Sequence, residues 1–489
     1  MKIVSLFALS VLIGCTSKPG LSGDAGSSDG PSSTGGDTSS PVGDDDDDSG
    51  MDGGDDSGTG SVTAPWPSWV MEPWVWEDES TQESALALVN GYLERDIPVG
   101  AIIIDSPWAT GYSTFEWDTA LYPEPQAMID EFHAKGVKVF MWTVPGINID
   151  QPELYEYAAS RGWFMKFKEE DEGPAVISWW KGDGSLIDYF NPEAVEWWHS
   201  LVDKTLDYGI DGWKCDGLDF SALQAKYSPG AGRNVDRLEY SHAYYRDFHD
   251  YTRDVLGDDR VNTIRPVDNY GGDLGGEAVQ FGPIDITWAG WVGDQDATFS
   301  GLEAALRNMY WSDHDGYTVF GSDIGGYRSE DGELGRTKEL FIRWTQLGAL
   351  SGIMENGGSK EHRPWMFDEE TTTLYRIYAK LHEALIPYLM EEGGVAFAEG
   401  RGLMDFQSKA DKTYLLGGDI FVAPVMNEEG TVSVEFPEGT WVDAFDSSQV
   451  YEGGTGTFEL TVELARYPLF VREGSEITSV VQEAIQDLL

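Results

Sequence analysis

The sequence predicts a (β/α)8 TIM barrel followed by a C-terminal β-sandwich, on three observations. From about Trp69 to Glu392, short apolar β-rich runs alternate with amphipathic helical stretches, the pattern of a parallel sheet wrapped by helices. Eight such runs can be counted, and eight strands over this span suit a barrel fold that typically takes about 250 residues and tolerates long loops. Beyond Gly394 the text changes to short strands and turns with no helical period until the last residues.

In order, the predicted barrel strands lie near Trp69 to Trp76, Gly100 to Asp105, Val137 to Val144, Ile210 to Asp216, Arg260 to Arg265, Ile286 to Asp294, Thr318 to Asp323 and Leu350 to Asn356. The longest insertion falls between the third and fourth. The later strands are read from YLLGGDIFVAPV, VSVEFPEGTWVD and YPLFVREG. Four regions follow: 1–15, a signal with its lipidation cysteine; 16–63, an acidic tether; 64–393, the barrel; and 394–489, the sandwich with a short terminal helix.

The first region carries one cation, Lys2, and then the largely apolar IVSLFALSVLIG, too short to span a bilayer and typical of a secretion signal. Leu12-Ile13-Gly14-Cys15 resembles a bacterial lipobox, in which cleavage leaves Cys15 as the lipidated N-terminus; an ordinary secretory signal with an incidental cysteine is the alternative. Thr16 after the cysteine resembles outer-membrane sorting, so the expected location is the cell envelope, with secretion as the other reading. Any membrane contact would run through that lipid alone. Residues 16 to 60 are mostly Gly, Ser, Thr and Asp, with almost nothing able to enter a core, and read as a disordered tether reaching roughly 35–40 Å. The run Asp44 to Asp48 lacks the alternating ligands and turn glycine of a calcium loop.

A formal charge of −54 argues against nucleic acid as a partner, because phosphate contacts need clustered Lys and Arg. Of two cysteines, Cys15 is spoken for if lipidated and Cys215 then has no mate, so no disulfide framework is expected. The 19 tryptophans suit sugar-stacking surfaces, but tryptophan is also a large core residue.

The barrel gives the polar residues a meaning, because active sites in this fold form at the C-terminal ends of the strands. Asp105, Asp216, Arg265, Asp294, Asp323 and Asn356 all fall there. Alternation along the fourth strand puts Lys214 and Asp216 on one face and Trp213 and Cys215 on the other. A lysine two residues before a carboxylate can hold it ionised and bind a substrate hydroxyl, or it can be a structural ion pair. Asp211 has the wrong parity for the lumen, Asp219 lies past the strand end, and Asp296 is a further nearby acid. Trp142 and Trp291 are expected to contact substrate, and Trp291 with Trp288 could form a dry wall beside Asp294.

The segments DGWKCDG, WVGDQDATFSGLEAALRNMYW, GSDIGGY, FIRWTQLGAL with RPWMFDEETTTLYRIYAKLHEALIPYLM, and LLGGDIFVAPV with GTWVDAF resemble, in order, characteristic stretches of glycoside hydrolase family 31. The resemblance covers residues 69 to 475. It implies a retaining, exo-acting α-glycoside hydrolase that removes a non-reducing terminal sugar through a glycosyl-aspartate intermediate, with no metal or cofactor required. By it Asp216 is the nucleophile, Asp294 the general acid/base, and Arg265 a donor near the reacting ring. Asp105 and Asp323 match positions that bind sugar hydroxyls, and the partner implied is an α-linked oligosaccharide or glycoside. Asp216 must then be ionised and Asp294 protonated, with the carboxyls about 5–5.5 Å apart.

Three departures qualify what the resemblance implies. The family usually carries a large β-sandwich before the barrel that lends a loop to the pocket, whereas here the tether runs almost directly into PWPSWVMEPW. The nucleophile is followed by Gly217-Leu218-Asp219, where α-glucosidases commonly have two residues and then Glu. Where many members have Arg-Asn-His after the eighth strand, this chain reads Glu355-Asn356-Gly357, so a sugar-binding histidine is absent unless His362 replaces it; a loop or packing role suits His362 better. Glucoside, xyloside and galactoside stay open, as do a transglycosylase using the same acids and a non-catalytic carbohydrate-binding protein. An open pocket would free Trp108, Trp179 and Trp180 to stack on further sugar units.

Overall fold

A computed structural model describes residues 63–217, 224–269, 278–407 and 412–489; Cys15, the Asp44 to Asp48 run and Asp219 lie outside them. Eight strands form a closed barrel: β1 (Trp74–Glu77), β2 (Ala101–Ile104), β3 (Lys138–Thr143), β4 (Gly212–Cys215), β5 (Thr263–Ile264), β6 (Ala289–Trp291), β7 (Phe320–Asp323) and β8 (Ile353–Asn356). Each pairs in parallel with its sequence neighbours, and β1 closes on β8 with Trp74 opposite Glu355. The predicted barrel is therefore present.

The paired segments are shorter than the predicted runs, and at two of them a 3-10 turn stands beside the strand. In the first, Ser68–Met71 forms a 3-10 turn and pairing begins only after Pro73, which has no N–H to give to a ladder. In the sixth, Ile284–Ile286 is likewise a 3-10 turn, and only three residues pair.

Among the described residues, seven of the eight strands feed helices that begin on polar caps or proline, which set where each loop ends. Thr81 and Ser84 form a reciprocal capping box on α1 (Gln82–Leu93), and Pro125 opens α2 (Pro125–Ala134). The long β3–β4 insertion holds α3 (Pro152–Ala159), a three-stranded antiparallel sheet (Gly146–Asn148, Ile177–Trp179, Gly182–Leu186) and α4 (Pro192–Leu206), capped by Asn191. Asp236, Thr298 and Thr337 cap α5 (Arg237–Leu256), α6 (Phe299–His314) and α7 (Lys338–Ala349). After β8, Asp368 caps the long α8 (Glu369–Glu399), which ends on Gly400 in the left-handed region.

The C-terminal region is antiparallel. A six-stranded sheet in the spatial order 404–405, 414–416, 420–422, 469–472, 440–443, 450–452 faces a two-stranded ribbon, Thr431–Glu435 with Thr457–Thr461. Phe421, Val434, Phe436, Trp441 and Phe470 fill the space between the two sheets. This region is fastened to the barrel by the buried Arg343 of α7, whose guanidinium donates to the carbonyls of Val462, Glu463 and Arg466.

Candidate active site

Strand alternation decides what the lumen contains. On β4, Trp213 points outward, donating from its indole to Thr252 on α5, and Cys215 is buried with burial pushing its thiol pKa well up, as expected of a small packing residue. Lys214 points inward, 3.2 Å from Asp105 and over the indoles of Trp76 at 3.5 Å and Trp291 at 5.0 Å. Burial alone would lower its pKa, yet the charges of Asp105, Asp323, Glu355 and Asp216 outweigh that and hold it protonated.

At the C-terminal rim a cavity of about 390 Å3 is lined by residues that include Asp105, Trp142, Lys214, Asp216, Arg265, Trp291 and Asp294. That volume suits a small ligand. Asp216 receives two donors: Arg265 Nη2 at 3.1 Å on Oδ1 and the Trp142 indole N–H at 3.3 Å on Oδ2. The same Arg265 Nη2 lies 3.7 Å from Asp294 Oδ1, and the other terminal nitrogen of the guanidinium pairs with the buried Asp268. Gly293, at φ +89°, makes the turn that presents Asp294, and any side chain there would collide with Asp268 and Arg265.

The two acids are treated differently. Asp216 is held by two donors, whereas Asp294 accepts no comparable hydrogen bond from any described residue and its pKa is pushed up to about 6, chiefly by removal from water. Arg265 opposes that rise and the negative charge of Asp216 adds to it. Its side chain keeps 27 % of its accessible surface, so it faces the open cavity. Such a pair can act as nucleophile and proton donor across a bond that enters from the rim.

Of the other residues singled out from sequence, Asp105 lines the cavity and accepts from the Ser106 N–H, while Asp323 sits deeper in the lumen, wholly buried. Burial and the neighbouring Glu355 push the Asp323 carboxyl well above its usual range. Asn356 requires correction. It faces out of the lumen, donating to Tyr92 on α1 and to the carbonyl of His362, because on β8 the lumenal parity belongs to Glu355. Trp288 is no wall for Asp294 either: its indole bonds the Asp285 carbonyl and packs on His249. His362 is a packing residue, buried against the Ile324 carbonyl with a pKa well below the usual histidine value because it is buried. No histidine could follow Asn356 in any case, since a Cβ on Gly357 would run into the Trp76 ring.

Among the aromatic residues, Trp108 belongs to the core, its indole bonded to the Trp142 carbonyl. Trp179 is tied to Asn148, while Trp180 lines the cavity and is 53 % exposed, its ring edge-on to Trp142. Sequence reasoning missed Trp76, Asp78, Tyr327 and Glu355. The first, second and fourth could have been found by applying β4's alternation rule to β1 and β8; Tyr327 lies on a loop and had no such signal. Among the described residues, no group of three or more His, Cys, Asp or Glu is arranged to hold a metal ion.

Comparison with known proteins agrees with this architecture. Residues 63–392 match the model of the glycosyl hydrolases family 31 TIM-barrel domain, and residues 402–477 that of the family 31 C-terminal domain. Alpha-xylosidase XylQ of Lactiplantibacillus pentosus is 29% identical over 443 residues, which is 86% of this chain and 55% of that one. An isomaltosyltransferase of Sporosarcina globispora is 26% identical over 478 residues, 85% of this chain and 41% of that one. The chain thus spans about half the length of these curated relatives. In fold it is similar to a solved family 31 alpha-xylosidase from a soil metagenome complexed with xylose, with a TM-score of 0.72 and 21% identity over 86% of this chain and 66% of that one.

Proposed function

This chain belongs to glycoside hydrolase family 31, and from that premise we propose that it is a retaining α-glycosidase acting on a terminal α-linked sugar. The observation that carries the reading is the single guanidinium nitrogen of Arg265 at 3.1 and 3.7 Å from Asp216 and Asp294. A bridge that short supports the smaller of the two separations that distinguish retaining sites, about 5–5.5 Å, from inverting ones at about 6.5–9.5 Å.

In the first step a carboxylate oxygen of Asp216 forms a bond to the anomeric carbon as the glycosidic C–O bond breaks and Asp294 gives its proton to the departing oxygen. In the second, Asp294 takes a proton from water, whose oxygen displaces Asp216. Arg265 and the Trp142 N–H hold and aim the Asp216 carboxylate, and Lys214 with Asp105 offers a donor and an acceptor to sugar hydroxyls. The test is a screen of the protein on aryl α-xylosides, α-glucosides and α-galactosides with product anomers followed by NMR. The name of the first relative makes the xyloside the first substrate to try. An initial product of inverted configuration, or no turnover of any α-glycoside, overturns the reading.

A second reading, transfer to an acceptor sugar, is favoured by the resemblance to an isomaltosyltransferase. The same two acids serve it, and only the acceptor in the second step differs. Products formed with an added acceptor sugar separate the two.

We further propose that the mature chain begins at Cys15, carries acyl groups and is held at the bacterial cell envelope, a reading supported by the sequence Leu12-Ile13-Gly14-Cys15. Cys15→Ser is expected to block processing and release the protein from the membrane fraction; normal processing with retained membrane binding would refute it.

A further inference from the structure

Of the carboxylates in the cavity, Asp78 alone has been given no part, since Asp216 and Asp294 are the two acids and Asp105 is paired with Lys214. Asp78 follows β1 directly, and Trp74, Trp76 and Asp78 share a parity along it. Its backbone N–H donates to the Gly358 carbonyl at 3.4 Å, and the next residue, Glu79, takes a left-handed φ of 60°, which turns the chain away and leaves Asp78 at the rim. There it lines the same cavity as Asp105, Lys214, Asp216, Asp294 and Tyr327.

What separates Asp78 from Asp105 and Asp216 is its unused hydrogen-bonding capacity, and what separates it from Asp294 is that Arg265 is not beside it. Asp105 accepts from the Ser106 N–H and pairs with Lys214; Asp216 accepts from Arg265 and Trp142; Asp268 takes up Arg265 and Asn308. The Asp78 carboxylate has no hydrogen bond or ion pair with any described residue, although it is partly shielded from water. Its pKa is pushed up to about 6 by that shielding and by the charge of Asp105, against the pull of Lys214 and Lys181. A half-desolvated acceptor is costly to leave unpaired. In a cavity of this kind the group placed to satisfy it is a donor on the ligand.

We propose that Asp78 is a specificity-determining residue that accepts a hydrogen bond from one hydroxyl of the terminal sugar bound beside Asp216. This rests on the glycosidase reading above and deepens it, since the hydroxyl that Asp78 reads would be part of what distinguishes one α-linked sugar from another. A carboxylate so placed rejects an analogue that lacks the hydroxyl, because the acceptor is then buried with nothing to bind.

The experiment is a cycle between enzyme and substrate. The aryl α-glycoside that the wild type turns over best among the xyloside, glucoside and galactoside is compared with its 2-, 3- and 4-deoxy analogues, and for a hexose also the 6-deoxy analogue. Wild type, Asp78→Ala and the near-isosteric Asp78→Asn are assayed, each checked for folding by its Tm. Asp78→Ala is expected to lower kcat/KM on the parent by about 10–100-fold, in line with loss of a hydrogen bond to a charged group. On one deoxy analogue, and only one, the variant should cost less than about threefold, because the interaction is already gone. The loss should appear in KM at least as much as in kcat. Losses of equal size on the parent and on every deoxy analogue, in variants whose Tm is unchanged, would overturn the assignment and leave the glycosidase reading intact. A wild type inactive on all three aryl glycosides refutes that reading and this inference together.

Discussion

Asp211 and Asp216 bracket one barrel strand, and their surroundings are opposite. At the N-terminal end, Asp211 is saturated: His133 Nε2 lies at 2.7 Å, Lys138 Nζ at 3.0 Å and the Val139 N–H at 2.9 Å, with Arg260 beyond at 4.0 Å. Burial would raise its pKa, but these donors and charges carry it below the usual carboxylate value. At the C-terminal end, Asp216 shares the guanidinium of Arg265 with Asp294 and Asp268, and Asp294 and Asp78 keep acceptor capacity unspent. The same side chain on the same strand is surrounded by its own donors at one end and shares one guanidinium with other acids at the other. The difference lies in whether neighbouring donors satisfy the carboxylate or leave it for a ligand.

The sharpest way to break this comparison is to delete a carboxylate at each end. Asp216→Ala should abolish turnover and Asp294→Ala should lower it by about 10²–10⁴-fold on substrates that need a proton at the leaving group, with little change in Tm. Added azide should rescue Asp216→Ala to give the inverted glycosyl azide and Asp294→Ala to give the retained one. The opposite pairing of product and variant would exchange the two roles.

Asp211→Ala should do the reverse. Removing the buried carboxylate leaves the Lys138 ammonium, the His133 ring and the Val139 N–H without their acceptor, a loss of about 1–3 kcal/mol, while the folded fraction keeps its specific activity. Urea unfolding at neutral pH measures it. Because the Asp211 pKa is depressed by folding, its contribution is present above the unfolded value near 3.8 and disappears as pH falls through the lower folded value, so wild type and variant should converge in acid. A variant as stable as wild type at pH 7 would remove the distinction between the two ends.

The acid pair should also be visible in the pH profile. On the proposed mechanism Asp294 carries a proton into the first step, and its pKa is pushed up to about 6, so kcat/KM on an aryl α-glycoside should fall as pH rises through that region. A profile flat to pH 8 would mean that another group donates the proton.

The smallest expected effect concerns the rim. Trp180 is exposed beside Trp142, so Trp180→Ala should cost about 2–10-fold in kcat/KM on an α-linked trisaccharide and much less on a glycosyl fluoride, which has no sugar to stack. Trp108→Ala, a core truncation, should instead lower Tm and affect both substrates alike. Equal losses from Trp180→Ala on the two substrates would show that the rim beyond the cleaved bond is not a binding surface.

The amino-acid sequence by itself determined the barrel, the sheets that follow it, and the inward placement of Asp105, Lys214, Asp216 and Asp323. These are local consequences of period: an apolar run bounded by polar caps makes a strand, and alternation then assigns each side chain a face. The same rule, applied throughout, would have put Glu355 in the lumen and Asn356 outside it, as β8 shows. Only the tertiary structure decided that one guanidinium from β5's end would touch acids following β4 and β6, and that Asp78 would stand in the same cavity without a partner among the described residues. It also decided that Trp108 would be core while Trp180 lined the rim, and that Trp288 would turn away toward His249. Those outcomes depend on loops of different length meeting over one lumen. The distances between their side chains are set by closure of the barrel, which no stretch of sequence carries alone.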